Sequence, residues 1–127
     1  MKNALILAAT AFLAHHALAD PAKDEAMTKL ASQSGCLTCH HVEPGAKGPD
    51  GLAPIGPAWR DVAVRYKGQK DAQAMLVQRV MTGSNPYESH WKGKVSGLAM
   101  PPNAVAIKEP EAKKLVAWIL SMPAKKP

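Results

Sequence analysis

Gly35-Cys36-Leu37-Thr38-Cys39-His40 decides how the rest of this chain is read. Two thiols three positions apart, followed at once by an imidazole, form the C-x-x-C-H pattern of covalent haem attachment. The spacing has a geometric reason. On a bent helical turn, both sulfurs reach the two vinyl groups on one side of a porphyrin, and His40 is aimed at the iron, for which neutral imidazole is a good ligand. Other uses of paired cysteines fit less well. A thioredoxin-like redox pair follows a strand in a βαβ unit, and no strand pattern precedes Cys36. A zinc site needs two more ligands at short spacing, whereas His41 and His90 are the only candidates and there is no second cysteine pair. A plain disulfide gives no reason for His40.

Upstream of this stretch, residues 1–19 read as a secretory signal. Lys2 is the only charge before an apolar run from Ala4 to Ala14, and Ala17-Leu18-Ala19 has the small-x-small form of a cleavage site. The run is too short for a membrane anchor, which needs roughly 20 apolar residues to cross about 30 Å of hydrocarbon. Cleavage removes His15 and His16 from any count of ligands and leaves Asp20 to Pro127, one compact domain. Of the +6 formal charge of the whole chain, only Lys2 is lost, so the mature protein is expected to carry +5. Export places both cysteines in an oxidising compartment, the periplasm. The basic balance favours acidic partners. Nucleic acid is not expected, because its binders cluster Lys and Arg beside stacking aromatics, and the rings here are few and scattered. No later segment is long and apolar enough to cross a membrane.

Downstream, Gly97-Leu98-Ala99-Met100-Pro101-Pro102-Asn103 offers a second iron ligand. A methionine sulfur in the sixth position raises the reduction potential of a histidine-ligated haem. Most methionines fill cores, and Met27, Met75, Met81 and Met122 read that way. Met100 instead sits in a loop without helical or strand period, stiffened by two prolines that fix φ and keep the chain extended. His90 is the fallback ligand. His41 directly follows His40 and cannot reach the opposite side.

Four segments have the 3.6-residue period of amphipathic helices. The first runs near Ala22 to Ser34 and stops at Gly35, suited to a left-handed cap. The second covers Ala58 to Lys67 and ends at Gly68. The third starts at Asp71, expected as its N-cap, and ends at Gly83. The fourth starts near Pro110, with Glu109 and Glu111 at the favourable end of its dipole, and closes before Pro123. Residues 123–127 are expected to form a flexible tail. With no alternating strand pattern, the fold class is all-α.

These residues resemble the class I cytochromes c, closely their short bacterial monohaem type. The resemblance rests on Gly35 and Cys36 to His40, Gly56-Pro57, Trp59 to Tyr66, Arg79, Gly83-Ser84, Trp91, Met100 to Asn103 and Lys114 to Ser121, in that order along the mature chain. It implies the class I cytochrome c fold, with about four helices and loops around one covalent haem c held through Cys36 and Cys39, with His40 and Met100 on the iron. It also implies that the Pro57 carbonyl accepts a hydrogen bond from His40 Nδ1, as groups behind a metal ligand do. By the same resemblance Asn103 bonds near the Met100 sulfur, and Arg79 and Trp91 donate to a buried haem propionate. Two departures stand out. The stretches 42–55 and 85–99 are longer than in the shortest members, and Leu30-Ala31 stand where the first helix usually has an aromatic to meet the last.

The function expected is one-electron transfer by a monomeric periplasmic shuttle that docks transiently on redox partner proteins through an exposed haem edge. Six-coordinate iron leaves no open position for substrate, so no enzyme activity is expected. The alternatives are a haem subunit of a periplasmic oxidoreductase, tethered by residues 85–99, and a haem sensor or peroxidase-like protein whose Met100 bond opens.

Overall fold

The computed structural model describes residues 20–124; residues 1–19, on which the expected secretory signal falls, and residues 125–127 lie outside them. Among the described residues there are four α-helices, three single 3-10 turns and no strand, only an isolated bridge between Lys92 and Val95. The helices are α1 (Pro21–Gln33), α2 (Trp59–Tyr66), α3 (Ala72–Thr82) and α4 (Glu109–Leu120). Each lies within two residues of its expected ends.

Helix ends follow the sequence chemistry with one exception. The Asp20 carboxylate accepts from the Ala22 and Lys23 amides, and Pro21 fills the first helical position, so α1 starts sharply. Gly35 leaves α1 at φ 73, which tightens the chain straight into the turn Cys36–Thr38. At α4 the Glu111 carboxylate accepts from the Lys108 amide. Asp71 is the exception. It precedes α3, but its φ of −93 and ψ of −2 are helical rather than extended, and its side chain makes no capping bond.

The core is built on α4, which packs against α1, α2 and α3. Ala112, Leu115, Val116, Trp118 and Ile119 of α4 are buried against Trp59, Val62 and Tyr66 of α2, Ala72 and Val77 of α3, and Ala31 of α1. Ala31 and Ala112 are fully enclosed, and small side chains let helices approach closely. Trp118 meets Trp59 edge to face at 5.7 Å between centroids, and its indole N–H donates to the Asp24 carboxylate at 2.7 Å. A polar bond from Trp118 therefore serves the α1–α4 contact, in a chain whose first helix has Leu30-Ala31 where an aromatic usually stands. Met27, Met75, Met81 and Met122 are half-buried against this core, as core fillers should be.

Two long loops leave the helical core and meet each other. The Ser96 amide donates to the Pro54 carbonyl at 2.9 Å and the Gly97 amide to the Ile55 carbonyl at 3.0 Å. Residues 42–55 and 85–99 thus form one continuous ledge. Arg60 anchors the first of them: its Nε pairs with Glu43 at 2.7 Å, while its Nη1 donates to the Pro123 carbonyl at 2.8 Å. Pro123 is the residue at which the tail is expected to begin. No helix among the described residues is long and apolar enough to cross a membrane.

Candidate haem site

The turn Cys36–Thr38 places Cys36 and Cys39 on one bend, closed by the Cys39 and His40 amides donating to the Cys36 carbonyl. Both thiols are unpaired and half-buried. Burial pushes the Cys36 thiol above its ordinary range.

His40 Nδ1 lies 2.8 Å from the Pro57 carbonyl oxygen. A carbonyl only accepts, so Nδ1 carries the proton and Nε2 is left with its lone pair. Burial lowers the His40 pKa, against the raising effect of the Pro57 bond, and so favours the neutral ring that can ligate a metal. Gly56 seats the imidazole. A Cβ there would stand 2.8 Å from His40 Cε1, and the Gly56 amide donates to the Cys39 carbonyl at 2.7 Å. Trp59 stacks at 6.0 Å on the same ring.

Met100 is half-buried, and its backbone is gripped at the end of α3. Its N–H donates to Ser84 Oγ at 2.8 Å, and its carbonyl accepts from the Ser84 amide at 2.9 Å. Asn103 Nδ2 donates to the Pro101 carbonyl at 2.7 Å, which bends the chain just after Met100. Arg79 is half-buried on α3 with its Nη1 3.5 Å from the Tyr66 hydroxyl, and Trp91 is half-buried against the core in the 85–99 loop. His90 lies outside α2, exposed, its ring edge-on to Tyr66 at 6.1 Å and its Nδ1 3.4 Å from Arg65 Nη2. His41 is half-buried, and its carbonyl accepts from the Trp59 amide.

Sequence reading quoted Gly56 and Ser84 without giving either a task. The signal was their position, each a small residue next to a loop that carries a ligand candidate. Their contacts, with His40 and Met100, depend on packing that no local pattern records.

Compared with known proteins, residues 25–123 match the Cytochrome c family. The chain belongs to the cytochrome c family. It is 40% identical to the cytochrome c-551 of Allochromatium vinosum over 93 residues, which covers 73% of this chain and 82% of that one. The crystal structure of wild-type Nitrosomonas europaea cytochrome c552 superposes with a TM-score of 0.56 at 33% identity, covering 74% of this chain and 96% of that one. The class 1 cytochrome MtoD of Sideroxydans lithotrophicus ES-1 gives a TM-score of 0.53 at 28% identity, covering 77% and 94%.

This cytochrome c accordingly has the all-α class I fold and carries one covalently bound haem c with its iron; it is an electron carrier, not an enzyme. The residues present fit that group. Two unpaired thiols share a turn with a neutral imidazole whose Nδ1 is engaged, and a thioether lies on a loop pinned to α3. Leu37, Val42, Leu76, Val80, Met81 and Trp91 add a half-buried apolar lining against the core.

Proposed function

We propose that this cytochrome is a monomeric periplasmic shuttle for single electrons. Cys36 and Cys39 hold its haem covalently, and His40 and Met100 ligate the iron. Residues 1–19 direct export and are removed, and residues 20–127 form the one functional domain. The bound haem supplies a one-electron ferric–ferrous couple, and a methionine ligand keeps its potential high.

The observation that carries this reading is the His40 Nδ1–Pro57 contact of 2.8 Å directly behind two unpaired thiols. It presents Nε2 as a fixed, neutral donor beside both attachment points. Arg79 supports a propionate role through its half-burial with, among the described residues, only a neutral hydroxyl as hydrogen-bond partner, since a desolvated cation is stabilised by an anion. Trp91, in the adjoining loop, is the companion donor. Asn103 holds the Met100 loop in shape through its bond to the Pro101 carbonyl.

Docking is assigned to the ledge formed by the two loops. It bears Lys47, Lys92 and Lys94, all exposed, together with exposed Leu52 and Leu98. A lysine-bearing surface with apolar side chains suits brief encounters with an acidic redox protein.

The test is the purified periplasmic protein and its Met100→Ala variant. Wild type should elute as a monomer, carry one haem by mass and show the weak long-wavelength sulfur-to-iron band when oxidised. The variant should lack that band. An unchanged spectrum in Met100→Ala would remove Met100 from the iron, and constant co-elution with a larger enzyme would favour the subunit role.

A further inference from the structure

The C-terminal end of α3 holds the whole segment that carries Met100. A helix ends with carbonyls that have no partner within it. Here the Val80 carbonyl accepts from the Asn103 amide at 2.9 Å, and Arg79 O is taken by the Gly83 amide. Gly83, at φ 85, turns the chain so closely under the loop that a Cβ would stand 3.0 Å from the Met100 carbonyl oxygen and 3.1 Å from the Pro102 nitrogen. Ser84 then meets Met100 twice, giving its amide to the Met100 carbonyl and taking the Met100 N–H on its Oγ.

These two bonds close the base of the loop 85–99, whose ends would otherwise be free to part. One is main chain to main chain and survives any substitution at Ser84 other than proline. The other depends on a single hydroxyl. The Met100 backbone is held through its own N–H, and the prolines that follow leave it little freedom on the other side.

We propose that Ser84 is the positioning residue for Met100, its hydroxyl setting how easily the thioether leaves the iron. This rests on Met100 being the sixth ligand. The prediction is a specific kinetic and equilibrium weakness in Ser84→Ala: a free Met100 N–H, a looser loop base, and easier replacement of sulfur by an added ligand.

The experiment titrates the oxidised holoprotein with imidazole and follows loss of the sulfur-to-iron band, in wild type, Ser84→Ala and Ser84→Thr. Urea unfolding of the same three proteins is measured alongside. Ser84→Ala should keep the band without imidazole yet bind imidazole about five- to tenfold more tightly, the worth of one neutral hydrogen bond. Ser84→Thr, which keeps the hydroxyl, should return to near the wild-type affinity. A lowered urea midpoint in Ser84→Ala with wild-type imidazole affinity would make Ser84 a structural residue only and overturn the proposal. So would equal weakening in Ser84→Ala and Ser84→Thr. A wild-type protein without the band would refute the Met100 ligation itself, and that failure is visible before any Ser84 variant is compared.

Discussion

Gly97 and Ile55 join the two long loops: the Gly97 amide donates to the Ile55 carbonyl at 3.0 Å, and a Cβ on Gly97 would come within 2.5 Å of that oxygen. No positive φ is involved, so the demand for glycine here is purely one of space. The opposing group is backbone, which cannot rotate away as a flexible side chain can. Gly97→Ala should therefore break the ledge locally and cost about 1–3 kcal/mol, the usual range for overpacking. Urea unfolding of the holoprotein checks this, and a stability equal to wild type would show that the loops separate without cost.

Trp118 ties α4 to α1 by its bond to Asp24, a pair 94 positions apart. Trp118→Phe keeps a ring against Trp59 but leaves a half-buried carboxylate without its donor. A hydrogen bond to a charged group contributes about 1.5–3 kcal/mol, so the variant should lose stability on that scale while its absorption spectrum stays unchanged. Asp24→Asn, which retains an acceptor oxygen, should lose less.

Haem attachment should be needed for folding. Among the described residues no side chain larger than alanine reaches below 2 % exposure, so the polypeptide core is thin for a domain of this length. Replacing both Cys36 and Cys39 by alanine is expected to leave an unfolded or degraded chain, read by far-ultraviolet circular dichroism and by yield from the periplasm. A stable, helical, colourless protein would show that the helices pack adequately alone.

The four helices were legible because their apolar faces, glycine stops and acidic starts are local signals. Asp71 shows the limit of such signals. A residue type suited to capping does not cap unless the backbone there is extended, and the turn from Gln69, whose carbonyl takes the Ala72 amide, keeps it helical. The attachment turn was legible for the same local reason. The resemblance pointed to the Pro57 carbonyl behind His40, but three other contacts between distant residues were not legible: Ser84 on Met100, Gly56 under His40, and Gly97 on Ile55. A glycine or serine in a loop has many ordinary uses, and only the folded partner reveals which one applies. Lys47 illustrates the same point. In sequence it belongs to the His40 side, far from Lys92 and Lys94, yet the bonds between residues 96–97 and 54–55 bring its loop and theirs onto one surface.

That surface gives the docking prediction its form. Ala46, next to Lys47, and Lys94 line the same cleft, together with Trp91 and Val95. Exposed lysines stand elsewhere too, among them Lys23, Lys67, Lys70 and Lys113, but Lys47, Lys92 and Lys94 are the ones carried on the two joined loops. Lysine is a flexible, well-hydrated charge that steers encounters without locking them, and steering between exposed charges fades beyond the Debye length, roughly 10 Å at about 0.1 M salt. The second-order electron-transfer rate with an acidic acceptor should thus fall steeply as salt rises past that concentration. The double variant Lys92→Glu, Lys94→Glu should slow the rate at low salt by about tenfold or more, within the range that electrostatic steering supplies. Its spectrum and reduction potential should stay close to wild type, because neither lysine belongs to the ligand set. Lys47→Glu should act in the same direction if the joined loops dock as one surface, and its having no effect would confine docking to the 85–99 loop. A rate indifferent to salt and to all three replacements would place the encounter on apolar contacts such as Leu52 and Leu98, or on another face of the molecule.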